Sequence, residues 1–162
     1  YNDVYGIDSC VLRLTNTYGP RLRIKDARQT FLGIWIRRLL EDKPFMIFGD
    51  GKQIRDYNYI DDVVEAFLLV ASSKKANGKI YNLGNDSPLT LNETADIMIE
   101  ENKKGTYTIV PFPENRKNID IGDFYGDFKK IKTELGWMPK TTFNVGIAKT
   151  LLYYQSNFKD YI

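Results

Sequence analysis

The segment from Phe48 to Val64 constrains this chain more than any other. A short apolar run, Phe45 to Phe48, breaks at Gly49, Asp50 and Gly51. That composition turns, because glycine tolerates positive φ and aspartate bonds its own backbone. The chain resumes with Arg55, Tyr57 and Tyr59, and Asp61 and Asp62 then stand where an N-cap and a first-turn acid belong. Val63, Val64, Phe67, Leu68 and Val70 follow with helical spacing. One cation and two aromatics are therefore expected on a short rigid connection between a strand and a helix. Such a connection presents a guanidinium to a phosphate and rings to a base or sugar. The same residues also suit a plain turn with a local ion pair.

A second stretch, Arg13 to Arg21, favours the functional reading. An aliphatic run, Cys10 to Leu14, ends near Asn16, and Tyr18, Gly19, Pro20 and Arg21 force the chain out of the strand. In α/β sheets ligands bind beyond the carboxyl ends of strands, so Asn16 is placed where polar residues contact ligands.

The remaining elements alternate. Phe31, Leu32, Ile34, Trp35, Ile36, Leu39 and Leu40 predict an amphipathic helix with Arg37 and Arg38 on its outer side, preceded by a basic, solvated loop from Arg21 to Arg28. A helix from Asp61 or Asp62 to about Ser73 stops at Ala76, Asn77 and Gly78, and Lys79 to Leu83 reads as a strand. Thr90 and Glu93 match a capping box for a helix through Glu101. A strand from Thr106 to Val110 ends at Pro111, and a charged loop from Glu114 to Gly126 precedes helices starting near Asp127 and Asn144. This alternation predicts α/β architecture.

Composition narrows the chemistry. With 162 residues, 43% hydrophobic and 27% charged, the chain has one domain's worth of ordinary globular sequence. There is no histidine, which excludes Ser-His-Asp and Cys-His catalysis and ordinary zinc sites for this chain. The single cysteine, Cys10, permits no intramolecular disulfide, suits a reducing compartment, and reads as an inert strand thiol. A net charge of +2 argues against a nucleic-acid surface. No apolar run approaches the roughly 20 residues of a membrane span, so no membrane partner and a cytoplasmic location are expected. The opening, Tyr1 to Gly6, has no initiator methionine and runs quickly into a strand, as a piece cut from a longer protein would.

Together the two stretches resemble the second half of an extended short-chain dehydrogenase/reductase, the NAD-dependent sugar-nucleotide epimerase/dehydratase family. Its Arg-x-x-Asn-x-Tyr-Gly-Pro-Arg segment reads here from Arg13 to Arg21, and its Gly-Asp-Gly-x-Gln-x-Arg-Asp motif opens the run from Gly49 to Asp62. The likeness continues through Tyr81 to Gly84, Asp120 to Asp127 and Leu135 to Pro139, and its flavour is that of the UDP-glucose 4-epimerase-like members.

The resemblance implies an α/β fold made of the last strands of a Rossmann-type sheet plus a small substrate-binding domain, a single C-terminal region over residues 1–162. It implies NAD as cofactor of the intact enzyme, a nucleotide diphospho-sugar, most simply a UDP-sugar, as substrate, and a homodimeric parent. It assigns Asn16 and Arg55 to the diphosphate or sugar, Tyr57 to the neighbourhood of the nucleotide, and Leu14 and Thr15 to the border of the nicotinamide. The family's second clamp, Arg-x-x-Asp, is altered: Asp120 is in register, but the residue three before it is Lys117, with Arg116 one position further away. Arg28 is a further candidate cation.

Two family features are missing from these 162 residues. No Gly-x-x-Gly-x-x-Gly occurs among the 12 glycines. The one Tyr-x-x-x-Lys, Tyr125 to Lys129, falls in the late loop, with Asp127 placed to cap the next helix and Tyr125 ahead of it. It is therefore expected to be a decoy, with the catalytic pair upstream and the isolated chain inactive. The alternatives are a stand-alone nucleotide-sugar-binding or structural module without redox chemistry, and a fragment whose first strand exposes an apolar face and an open edge and so self-associates.

Overall fold

A single helical turn, α1 (Asn2–Tyr5), closes on Gly6 in the left-handed conformation and leads into strand β1 (Val11–Arg13). The computed structural model describes residues 1–26 and 30–162, and all side chains among them except those of Arg116, Lys117 and Ile119. Past Leu14, where the sequence suggests that the strand ends, the chain forms a second short strand, β2 (Asn16–Tyr18). The reason is a parallel partner distant in sequence: Asn16, Thr17 and Tyr18 pair with Tyr57, Asn58 and Tyr59 of β5 (Tyr57–Tyr59). Local turn chemistry then acts two residues later, at Gly19 and Pro20.

Helix α2 (Phe31–Leu40) starts at Thr30, whose side chain accepts from the Leu32 N–H, and buries Leu32, Trp35, Ile36 and Leu39. It delivers the chain to β3 (Phe45–Phe48), parallel to β8 (Tyr107–Val110). After the turn at Gly49 and Gly51, the short strand β4 (Ile54–Arg55) pairs antiparallel with β7 (Leu89–Thr90). Strand β5 runs directly into helix α3 (Ile60–Ser72). Its N-cap is Tyr59, so Asp61 and Asp62 lie in the first turn and neither is the cap expected from sequence.

Strand β6 (Ile80–Asn82) pairs parallel with β1, joining Val11 to Ile80, Leu12 to Tyr81 and Arg13 to Asn82. Among the described residues β1 has no second neighbour, and Val11 and Ile80 are largely exposed. The Thr90–Glu93 capping box opens helix α4 (Leu91–Asn102) as expected. The last helices, α5 (Lys129–Leu135) and α6 (Phe143–Asn157), begin at Phe128 and Thr142; Asp127 stands one position before the α5 cap and accepts from the Lys129 N–H at 2.9 Å. The mixed α/β class with parallel strand pairs is the expected one.

Two buried clusters hold these elements. The larger joins α2, α4, α6 and the inner faces of β2, β3 and β5, through Tyr18, Trp35, Phe45, Tyr57, Met98 and Ile147. The smaller packs α3, β6 and α5 through Val63, Tyr81, Leu83, Ile131 and Trp137. Asp62 ties the segment after α5 to α3. Its carboxylate, 3% exposed, accepts from the backbone N–H groups of Lys140 (3.2 Å) and Thr141 (2.9 Å), and its carbonyl accepts from the Trp137 indole at 2.9 Å. Removing a buried acceptor strands its donors, which costs more than the bonds contribute. Asp62→Ala is expected to lower stability by about 2–3 kcal/mol in urea unfolding, with Asp62→Asn milder because both bonds end on the same carboxylate oxygen.

Candidate nucleotide-binding site

A cavity of about 1110 Å³ opens between the end of β1, the first turns of α2, strand β3 and the loop that follows β8. One part of its lining is apolar and aromatic, with Phe31, Trp35, Phe45, Phe48 and Phe112 among it. The rings meet in sequence: Phe31 edge-on to Trp35 at 4.9 Å, Trp35 tilted on Phe45 at 4.7 Å, and Phe48 edge-on with Phe112 at 6.2 Å. The other part is polar and collects Asn16, Gln53, Arg55 and Asp120. Apolar walls with a few convergent polar groups are the usual makeup of a small-molecule site.

Arg55 is 9% exposed, and its guanidinium is anchored by carbonyls. Nη1 donates to Ile54 O at 2.8 Å and to Gly122 O, and Nη2 donates to Gln53 Oε1 at 2.8 Å. Of the five guanidinium N–H groups, the Nε–H and one Nη2–H remain for a ligand. Asn16 donates to the Asp56 carbonyl at 2.9 Å, which fixes its amide at the cavity wall. Asp120 accepts from Gln53 Nε2, with both oxygens at 2.9 Å.

The local Arg55–Asp56 ion pair does not form. Successive strand residues point to opposite faces, and Asp56, fully buried, turns away from Arg55 to accept from the N–H groups of Asn85 (3.1 Å) and Gly126 (3.0 Å). Burial pushes its carboxyl up from the usual range, against the opposing pull of those two N–H groups and of the Thr15 hydroxyl. The loop from Asp120 to Gly126 is thereby sewn to β4. Asp123 accepts from the Ile54 N–H at 2.9 Å, and Phe124 donates to Ile54 O at 3.1 Å. Gly84 and Gly126 meet so closely that a Cβ on Gly84 would lie 2.0 Å from Gly126 O.

The structure thus brings together Asn16, Arg55, Asp120, Leu14 and Thr15 from among the residues singled out in the sequence. Tyr57 is not with them. It lies 2% exposed in the larger core, accepting from Thr94 Oγ1 at 3.0 Å and packed on Phe143 at 4.6 Å, and burial pushes its hydroxyl well up. Its ring joins the larger core on the inner face of β5, away from the cavity lining that holds Arg55. Arg28 lies outside the described residues, and Arg116 and Lys117 fall in a 3₁₀ turn, Glu114–Ile119, as residues whose side chains are outside the description. Tyr125 is exposed and precedes α5, so it shares no helix with Lys129.

Among the cavity residues that the sequence reading did not single out are Gln53, Phe48, Phe112 and Arg38. Arg38 was placed on the outer side of its helix, yet it lines the cavity. Gln53 alone carried a sequence signal, being a fixed letter of the Gly-Asp-Gly-x-Gln-x-Arg-Asp motif. For the nicotinamide dinucleotide, Leu14 and Thr15 fit one border only. The Thr15 hydroxyl is already engaged by Asn58 Nδ2 at 2.7 Å, and no glycine-rich pyrophosphate turn occurs in the sequence. Among the described residues no cluster of His, Cys, Asp or Glu forms a cation site, and no helix is long and apolar enough to cross a membrane.

The profile of the NAD dependent epimerase/dehydratase family matches residues 1–84, and the chain belongs to that family. It is 31% identical over 157 residues to a dTDP-glucose 4,6-dehydratase of Actinoplanes sp., covering 97% of this chain and 47% of the relative. It is 32% identical to a putative UDP-glucose 4-epimerase of Methanocaldococcus jannaschii, covering 97% of this chain and 49% of the relative. Among solved structures, the UDP-glucose 4-epimerase of Thermotoga maritima with UDP-glucose superposes with a TM-score of 0.81 at 31% identity, over 97% of this chain and 49% of that one. DesIV, the dTDP-glucose 4,6-dehydratase of Streptomyces venezuelae with NAD and TYD bound, gives 0.84 at 25% identity, over 99% and 48%. The chain spans about half the length of the relatives it matches.

The elevated carboxyl pKa of Asp56 makes a stability prediction. Between the ordinary carboxyl range and the raised folded value the folded chain binds more protons than the unfolded one, so stability falls as pH rises through that window. Asp56→Asn, which keeps an oxygen for both N–H donors, is expected to flatten this fall. Asp56→Ala is expected to lose about 2–4 kcal/mol at every pH, with urea unfolding from acid to neutral pH as the check.

Proposed function

We propose that this chain is the nucleotide-sugar-binding part of an NAD-dependent sugar-nucleotide epimerase/dehydratase, with a UDP-sugar 4-epimerase as the particular activity of the intact, homodimeric, cytoplasmic enzyme. The observation that carries the reading is the division of the cavity. Its aromatic part offers stacking surface to a nucleobase, and its polar part presents a partly satisfied, nearly buried guanidinium with two unspent donors beside Asn16. A buried guanidinium recognises a diphosphate through paired charge-assisted bonds that a lysine point charge cannot reproduce. Asp120, an acceptor at the cavity rim, suits ribose hydroxyls.

In this reading the chain's residues bind and orient. Leu14 and Thr15 would border the nicotinamide cofactor of the family, which would supply hydride acceptance and return in the intact enzyme. Holding the nucleotide and diphosphate fixes the sugar for transfer, so binding energy from remote groups serves the reacting carbon. The 162 residues alone are proposed to be catalytically silent, since the glycine-rich turn and a helical Tyr-x-x-x-Lys are not among them. The matched dTDP-glucose 4,6-dehydratases support a second reading, in which the base is thymine and the activity a dehydration.

Calorimetric titration with UDP, dTDP, CDP, GDP and NAD⁺ separates these readings. Selective heat with UDP is expected, with none for NAD⁺, and Arg55→Ala should weaken UDP about 10- to 100-fold. Preference for dTDP would move the assignment to the dehydratase, and sugar turnover by this chain alone would overturn its proposed silence.

A further inference from the structure

Between the cation and the anion of the polar half lies one neutral side chain whose two ends are both spent. Gln53 accepts from Arg55 Nη2 through Oε1 at 2.8 Å and donates from Nε2 to both oxygens of Asp120 at 2.9 Å. An amide has one acceptor end and one donor end, and these partners fix which is which. Only an acceptor suits the guanidinium, and only a donor suits the carboxylate. Gln53 lies on the approach to β4, and Asp120 opens the loop sewn to that strand, so the bridge spans 67 residues of sequence.

We propose that Gln53 is a positioning residue for the diphosphate and ribose clamp, an inference that rests on the nucleotide-sugar reading above. Its amide keeps Arg55 and Asp120 within one hydrogen-bonded chain but apart from each other. Direct pairing of the two would cancel much of the positive charge meant for a diphosphate and turn the carboxylate away from the sugar. With the amide between them, Nε–H and the second Nη2–H of Arg55 stay directed to the ligand and Asp120 keeps lone pairs for hydroxyl donors. The charge of the clamp is thus set by a residue that carries none.

The test uses UDP and uridine as probes, titrated into the 162-residue chain and its Gln53→Leu, Gln53→Glu and Arg55→Ala variants. Gln53→Leu leaves the ions free to pair and is expected to weaken UDP about 5- to 10-fold, and uridine by less. Gln53→Glu places a carboxylate between Arg55 and Asp120; among the described residues Asp50, Lys52 and Asp123 are charges close by in the chain and the sewn loop, and Arg38 and Lys43 line the same cavity. It should bind UDP poorly near pH 8. A protonated glutamic acid reproduces the amide, its carbonyl accepting from Arg55 and its O–H donating to Asp120. Affinity relative to wild type should therefore recover as pH falls to about 5, across the range in which a carboxyl facing another carboxylate takes its proton. A merely structural glutamine would give no such recovery, and recovery itself certifies that the variant is folded. UDP binding by Gln53→Leu at wild-type strength, alongside its loss in Arg55→Ala, would overturn the positioning role alone, as would a flat pH response of Gln53→Glu. A wild-type chain indifferent to UDP would overturn the nucleotide reading and this inference with it.

Discussion

Asp56 is a carboxylate with no access to water, held at the junction of β5, the segment after β6 and the loop that leads to α5. Burying such a group is unfavourable unless it is hydrogen-bonded, and the cost of leaving it unsatisfied exceeds what any single contact around it contributes. Two of the donors that meet it are backbone N–H groups, from Asn85 and Gly126, so the carboxylate selects main-chain position there. Its own carbonyl then receives the Asn16 amide, which brings the start of β2 into the same arrangement. Three remote segments are thereby brought to one strand, and the polar half of the cavity is what their meeting produces.

Three consecutive residues across the break between β4 and β5 divide structural from cavity-facing work. Arg55 faces the cavity, Asp56 the junction, Tyr57 the core. The larger core supports this from below: Tyr57 is wedged among Tyr18 and Phe143, so the backbone carrying Arg55 has little freedom to move. A guanidinium anchored on carbonyl oxygens is already desolvated and oriented, and a ligand then loses less free energy in ordering it.

Much of this was legible in the residues. The helices were visible in apolar periodicity, the Thr90–Glu93 box in its spacing, Asn16 in its place after a strand, and Arg55 and Asp120 through the family resemblance. The missed pieces share a physical cause. Strands β2, β4 and β7 are two or three residues long and exist because of distant partners, which local propensity does not record. Tyr57 was misplaced because a tyrosine beside a motif arginine looks like ligand chemistry, whereas the chain passes from β4 to β5 between them and pairs with a different strand on each side. Asp61 and Asp62 carry the letters of a cap, yet the helix starts one residue earlier and Asp62 serves backbone donors near Trp137 instead. Arg38 sits on a helix whose apolar stripe predicts the buried side but not which flank borders a cavity.

The stitching of the late loop to β4 also governs the order in which the site comes into being. Arg55 and its acceptor Gly122 are 67 residues apart, and Tyr18 meets Phe143 across 125. On a ribosome adding roughly 5–20 residues per second, the loop emerges several seconds after the strand it completes. Throughout that interval Asp56 lacks the Gly126 N–H, and the guanidinium lacks its Gly122 anchor. Contacts of such long range are slow to form and set a low folding rate. The polar part of the cavity is therefore complete only once synthesis has passed Gly126, a dependence that neither strand bearing Asn16 and Arg55 carries by itself.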